Sequence, residues 1–256
     1  MRSIPGRLRV LWFVASFLPG LLFAADVVTV AVASNFAKTA AAVSAAFTQE
    51  SGVPVRTSHG STGKLYAQII NGAPFDVFLS ADTERPLLLE QAGLIVNGSR
   101  QTYATGSLVL WSQDELMRGE DCRAVLEQSA YGRLALANPG TAPYGSAARE
   151  FLIGAGLWET ASARAVYGEN IAQTLQFVAT GNATLGFVAK SQTTDPALPA
   201  GTCAWPVPMS THAPLHQQAV VLKRASGNDG ARRFADFLKT PAAKKIIREH
   251  GYQVSD

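Results

Sequence analysis

The chain has 256 residues, of which 47% are hydrophobic and 16% charged. It is too apolar for a disordered polypeptide and long enough for one large domain or two small ones. Arg2, Arg7 and Arg9 are three of its 22 basic residues, so beyond the leader 19 basic groups face 19 acidic ones. That balance leaves no dense basic face of the kind a nucleic-acid partner requires.

Residues 1–24 read as a secretory signal peptide: three arginines, an apolar run over residues 10–23, and Leu22-Phe23-Ala24 as a small-residue cleavage site, with cleavage after Ala24 or Ala25. The run is shorter than the roughly 20 residues that a bilayer span needs. Residues 27–32 then form a buried-strand candidate. Phe36, Ala40, Val43 and Phe47 recur at helical spacing up to Gly52. Residues 53–57 are extended, and Leu65, Ile69 and Ile70 mark a helix ending at Asn71-Gly72. Residues 76–80 form a strand, and a helix follows over 86–91 with Gly93 as its stop.

The same grammar restarts after Gly106. Residues 107–111 and 134–137 read as strands, 146–153 and 171–180 as helices, and 185–189 as a strand. Residues 192–208, rich in Pro, Thr and Ala, read as surface loop. A strand over 219–223 and helices over 230–238 and 241–250 complete the chain, Pro241 suiting a first helical turn. Alternation of this kind predicts an α/β fold in two lobes, each a mostly parallel sheet flanked by helices, with a ligand cleft between them. Export to an oxidising compartment makes Cys122 and Cys203 a disulfide candidate. Closing a loop of that length is worth roughly 4–5 kcal/mol in the chain-entropy model.

Four helix starts carry the chemistry: Ser34-Asn35, the run Gly60-Ser61-Thr62-Gly63-Lys64, the run NPGTAPYG over 138–145, and Glu169-Asn170, where Gln173 can complete a capping box. Helix N-termini present unpaired N–H groups and partial positive charge, which suits anions, although Ser, Thr and Asn also cap helices without any ligand. Enzyme motifs fail here. The phosphate-loop pattern would need glycine where Ser58 stands, and the nucleophile elbow would need it at His59. A hydrolase using Ser61 or Ser146 with His59 therefore lacks its scaffold. His212 and His216 share i, i+4 spacing, but Pro214 between them argues against a helix that could present them to zinc.

These segments resemble the periplasmic molybdate-binding proteins of ABC-type importers. The resemblance rests on VTVAVASNF (28–36), GSTGKLYAQIINGAPFDVFLSAD (60–82), NPGTAPYG (138–145), ENIAQTLQFVATGNATLGFVAKSQ (169–192) and the tail FADFLKTPAAKKIIREHGY (234–252). It implies a type II periplasmic-binding-protein fold with lobes 25–106 plus 215–256 and 107–214, and crossovers near 105–107 and 214–218 that act as a hinge. It implies a tetrahedral oxyanion, molybdate or tungstate, held by Ser34, Asn35, Ser61 or Thr62, Tyr144 and the backbone N–H of Ile171. Where some members carry a tyrosine after the strand at 185–189, this chain has Ala189 and Lys190, and Tyr144 takes that donor's place. The resemblance further implies a monomer in the periplasm that serves a membrane permease, without enzyme activity or cofactor. A binder of sulfate or another oxyanion is the alternative. A phosphate site would want a carboxylate to accept the ligand's proton, and Asp76 and Asp82 read instead as cap or strand-end residues.

Overall fold

The computed structural model describes residues 27–255, so the signal-peptide reading lies outside the described residues. In chain order the elements are β1 (Val28–Ala33), α1 (Ala37–Ser51), β2 (Val55–Gly60), α2 (Thr62–Ile70), β3 (Val77–Leu79), α3 (Glu84–Gln91), β4 (Gln101–Thr105) and β5 (Leu108–Ser112). There follow α4 (Cys122–Glu127), β6 (Leu134–Ala137), α5 (Pro143–Gly154), α6 (Trp158–Ala163), β7 (Ala165–Gly168), α7 (Ile171–Ala179), β8 (Leu185–Ala189) and α8 (Lys190–Thr193). β9 (Cys203–Pro206), β10 (His216–Val221), α9 (Asp229–Phe237) and α10 (Pro241–Glu249) end the chain.

Two five-stranded sheets organise these elements, one in the order β2-β1-β3-β10-β4 and the other β7-β6-β8-β5-β9. The first three strands of each run parallel; β10 and β5 are reversed and pair antiparallel with both neighbours. The chain leaves the first sheet after Thr105 and returns to it at His216. Central strands are apolar because helices cover both faces. In the first lobe the α1 face Ala40, Val43 and Phe47 packs with Val28, Val30 and Phe234, the Phe47 and Phe234 rings meeting edge-on at 5.3 Å. Burial of one such ring contributes about 1.5–3 kcal/mol. Gly52 ends α1 with φ of 72°, the left-handed conformation that glycine adopts without strain.

Several elements depart from the sequence reading. Residues 192–208 are not all loop: α8 ends at Thr193, and β9 pairs antiparallel with β5. Proline at the C-terminal end of the CAWP strand and its edge position hide it from pattern analysis. β9 carries Cys203 to Cys122 at the start of α4, with a Cα–Cα distance of 5.7 Å, so the expected disulfide forms. β4, α4, α6 and β7 carry no clear periodic signal and were not expected. α5 begins at Pro143 rather than at 146, because proline pre-sets helical φ at the first position. Tyr144 therefore stands in the first helical turn and not in the loop before it.

Candidate functional site

The four helix starts meet between the lobes. They enclose a small cavity, about 10 Å³, lined by Ser34, Asn35, Ser61, Thr62, Tyr144 and Ile171, together with Ala33, Gly60, Ala81, Ala142 and Pro143. Every residue that the resemblance implied for an anion is at this wall, and none of the lining residues carries a charge. Asn35, Ser61, Thr62, Tyr144 and Ile171 are buried; Ser34 is half-buried.

Each donor owes its availability to local structure. β1 ends in a single 3-10 turn over Ser34–Phe36, and no side chain caps it. Its first amides therefore lack partners within the turn. Ser61 occupies the N-cap of α2, where a serine oxygen ordinarily accepts a first-turn N–H. Here it makes no such bond, and Ser61 Oγ is buried without a hydrogen-bond partner. The neighbouring Thr62 differs, since its Oγ1 accepts the Ala81 N–H at 3.1 Å. At α7, Asn170 Oδ1 accepts from the N–H groups of Ala172 and Gln173 at 2.9 and 3.1 Å, which leaves the Ile171 N–H to the cavity. The expected capping box is shifted by one residue, because Gln173 Oε1 accepts from Glu169 N rather than from Asn170.

Tyr144 reaches the cavity through two close approaches. A Cβ on Gly145 would lie 2.2 Å from the Ala137 carbonyl oxygen, so glycine lets α5 start directly against the end of β6. A Cβ on Gly106 would lie 2.0 Å from the Tyr144 hydroxyl oxygen, so glycine at the crossover makes room for it. Behind the cavity runs a buried polar network. Asn35 Nδ2 donates to Gln217 Oε1 (2.9 Å) and Tyr252 Oη (3.0 Å), and Tyr252 donates to the Asn35 carbonyl (2.7 Å). The Asn35 carboxamide N–H groups are thus committed inside the protein, and its backbone N–H is the donor that remains. Burial pushes the hydroxyls of Tyr103, Tyr144 and Tyr252 above the ordinary tyrosine range, so all three are neutral donors at neutral pH.

The lobes touch across the cleft. Gly63 N donates to Thr141 O at 2.9 Å, and Ser191 Oγ donates to Asn35 O at 3.1 Å. Lys64 pairs with Glu169 at 2.9 Å, and Lys38 pairs with Asp195. Lys64 thus belongs to the rim and not to the cavity wall. The segment after β8, which lacks the tyrosine, contributes Ser191 to this closure instead. Asp76 and Asp82 act as expected of cap and strand-end residues. Asp76 accepts from Thr29 and pairs with Arg224; Asp82 accepts the Arg85 N–H at the start of α3. Gln217, Tyr252, Tyr103 and Ser191 were not expected from sequence: each is an ordinary polar residue in an apolar context, and no local pattern signals its distant partner. Among the described residues there is no cluster of three His, Cys, Asp or Glu that could hold a metal ion.

Neutral O–H and N–H donors at a largely buried wall, without a carboxylate, suit a compact anion that carries no proton. Comparisons with known proteins show the family. The family model for bacterial extracellular solute-binding proteins matches residues 28–253. The chain is 46% identical to the molybdate-binding protein ModA of Azotobacter vinelandii, over 88% of this chain and 89% of that one. It is 44% identical to ModA of Rhodobacter capsulatus, over 90% and 89%. The solved structure of an Azotobacter vinelandii periplasmic molybdate-binding protein superposes with a TM-score of 0.84 at 37% identity, covering 90% of this chain and all of the other. By its match along nearly the whole described length, its two-lobed fold and these relatives, the chain belongs to the bacterial extracellular solute-binding proteins.

Proposed function

We propose that this protein captures molybdate, and also tungstate, in the periplasm and delivers it as a monomer to the permease of an ABC importer. The supporting observation is the uncharged cavity, lined from both lobes by hydroxyls and helix starts, in a chain 46% identical to a molybdate-binding protein. Ser34 and Ser61 offer hydroxyls, Asn35 and Ile171 offer backbone amides, and Tyr144 offers its phenol. The unpartnered Ser61 Oγ favours Ser61 over Thr62 as the hydroxyl of that turn.

A fully deprotonated dianion needs donors alone, and helix-end amides supply them without burying a lysine or arginine that would stand unpaired when the ligand leaves. Membership of the two sheets supports lobes of residues 25–106 plus 215–256 and 107–214. Opening about the crossovers near 105–107 and 214–218 then exposes the anion, and closure presents a joined surface to the permease. The first 24 residues, read as a cleaved leader, direct the chain to that compartment.

Calorimetric titration of the purified mature protein with molybdate, tungstate, sulfate and hydrogen phosphate tests the reading. Tight, stoichiometric heats with the first two and weak ones with the others are expected. Preference for sulfate, or no binding of any of the four, would overturn it.

A further inference from the structure

Gln217 stands on β10, just inside the crossover through which the chain re-enters the first sheet, and is fully buried. The rest of the network fixes its carboxamide orientation. Oε1 accepts from Asn35 Nδ2 at 2.9 Å and faces the Tyr103 hydroxyl at 3.1 Å. Nε2 is thereby turned toward Tyr144 and donates to its hydroxyl oxygen at 3.3 Å. A tyrosine hydroxyl carries one proton and can act toward a neighbour as donor or acceptor. With an amide N–H aimed at its oxygen, Tyr144 has its own proton to give to another partner, and Tyr144 lines the cavity.

We infer that Gln217 is a positioning residue that holds Tyr144 as a donor, and so strengthens the preference for fully deprotonated oxyanions over those that carry a proton. This rests on the reading of the cavity as an oxyanion site. A tyrosine free to turn could accept the O–H of hydrogen phosphate, which at mildly alkaline pH is a dianion like molybdate but bears one proton. A tyrosine held by Gln217 cannot accept it without losing the amide bond. The selectivity element therefore sits one residue behind the cavity wall, on the strand by which the chain re-enters the first sheet.

The test is a double-mutant cycle in the mature protein at pH 8: wild type, Tyr144→Phe, Gln217→Met and both together, titrated calorimetrically with molybdate and, in competition, with hydrogen phosphate. Tyr144→Phe and Gln217→Met should each weaken molybdate about tenfold or more, while the double variant falls no more than about threefold below Tyr144→Phe. Gln217→Met should also narrow the molybdate-to-phosphate preference by about tenfold or more, an effect that general loosening of the site would not give. An undiminished Gln217→Met penalty in the Tyr144→Phe background, or equal weakening of both anions, would overturn the assignment. Weakening by Tyr144→Phe alone, with Gln217→Met like wild type, would sink Gln217 and leave the oxyanion site standing. Full binding by Tyr144→Phe would remove both. Should Gln217→Met fail to fold, Gln217→Asn, which withdraws the same amide by one methylene, replaces it in the cycle under the same criteria.

Discussion

Ser61 and Thr62 are adjacent hydroxyl residues at one helix start, and the structure assigns them opposite sensitivities. Ser61 Oγ is buried without a partner, so in Ser61→Ala no protein hydrogen bond is lost and thermal stability should stay within about 0.5 kcal/mol of wild type. If that hydroxyl donates to the anion, its removal deletes a hydrogen bond to a charged group, worth roughly 1.5–3 kcal/mol. At about 1.4 kcal/mol per decade, molybdate affinity then falls about 10- to 150-fold. Thr62 Oγ1 accepts the buried Ala81 N–H at 3.1 Å. Thr62→Val would orphan that amide and cost about 1–3 kcal/mol of folding stability. Its affinity should change by less than about fivefold, since the lost bond lies within the protein. Calorimetry for affinity and ligand-free melting for stability, applied to both variants, give a crossed pattern. The reverse pattern, or a loss under about twofold for Ser61→Ala, would refute the assignment of Ser61 as the donor.

Lys64 and Glu169 pair across the cleft while half or more exposed, so Lys64→Ala should cost at most about 1 kcal/mol, or fivefold in affinity. The difference from wild type should shrink in 0.5 M salt, measured by titration across a salt series. The Cys122–Cys203 bridge closes a separation of 81 residues, and replacing both with serine should remove up to about 4–5 kcal/mol and lower the melting temperature by roughly 8–20 °C. Neither cysteine lines the cavity, so molybdate affinity should hold within about threefold. Burial raises the hydroxyls of Tyr103, Tyr144 and Tyr252 above their unfolded value near 10. A raised folded value means stability fully present below about pH 10 and lost as pH climbs toward the folded values, with a slope of up to about 4 kcal/mol per pH unit if all three ionise on unfolding. Urea denaturation between pH 9 and 11.5 reads that slope; a flat profile would count against buried neutral tyrosines.

What could be read along the chain follows from the range of the signal. α1, with Phe36, Ala40, Val43 and Phe47 repeating before Gly52, is written in adjacent turns, and β6 and β8 are short apolar runs that fall where expected. β9 is the contrary case. Its strand character comes from pairing with β5 and from the disulfide, partners 81 to 97 residues away that Cys-Ala-Trp-Pro does not announce. α5 shows a middle case, where proline chemistry sets the start but the pattern of apolar residues suggests a later one.

Sequence by itself determined the alternation of strands and helices, the cysteine pair and the four helix starts, because capping positions and apolar periods are local properties; the six residues that could face an anion came from the family resemblance. Only the tertiary structure decided that these donors share one cavity, that Ser61 rather than Thr62 is free of internal partners, and that Gln217 stands behind Tyr144. Whether a hydroxyl caps its own helix or faces a ligand depends on which distant groups its neighbours have already satisfied. Hydrogen-bond partners 73 and 182 residues apart, as at Tyr144–Gln217 and Asn35–Gln217, are brought within reach by the chain's return through β10, which no local pattern encodes.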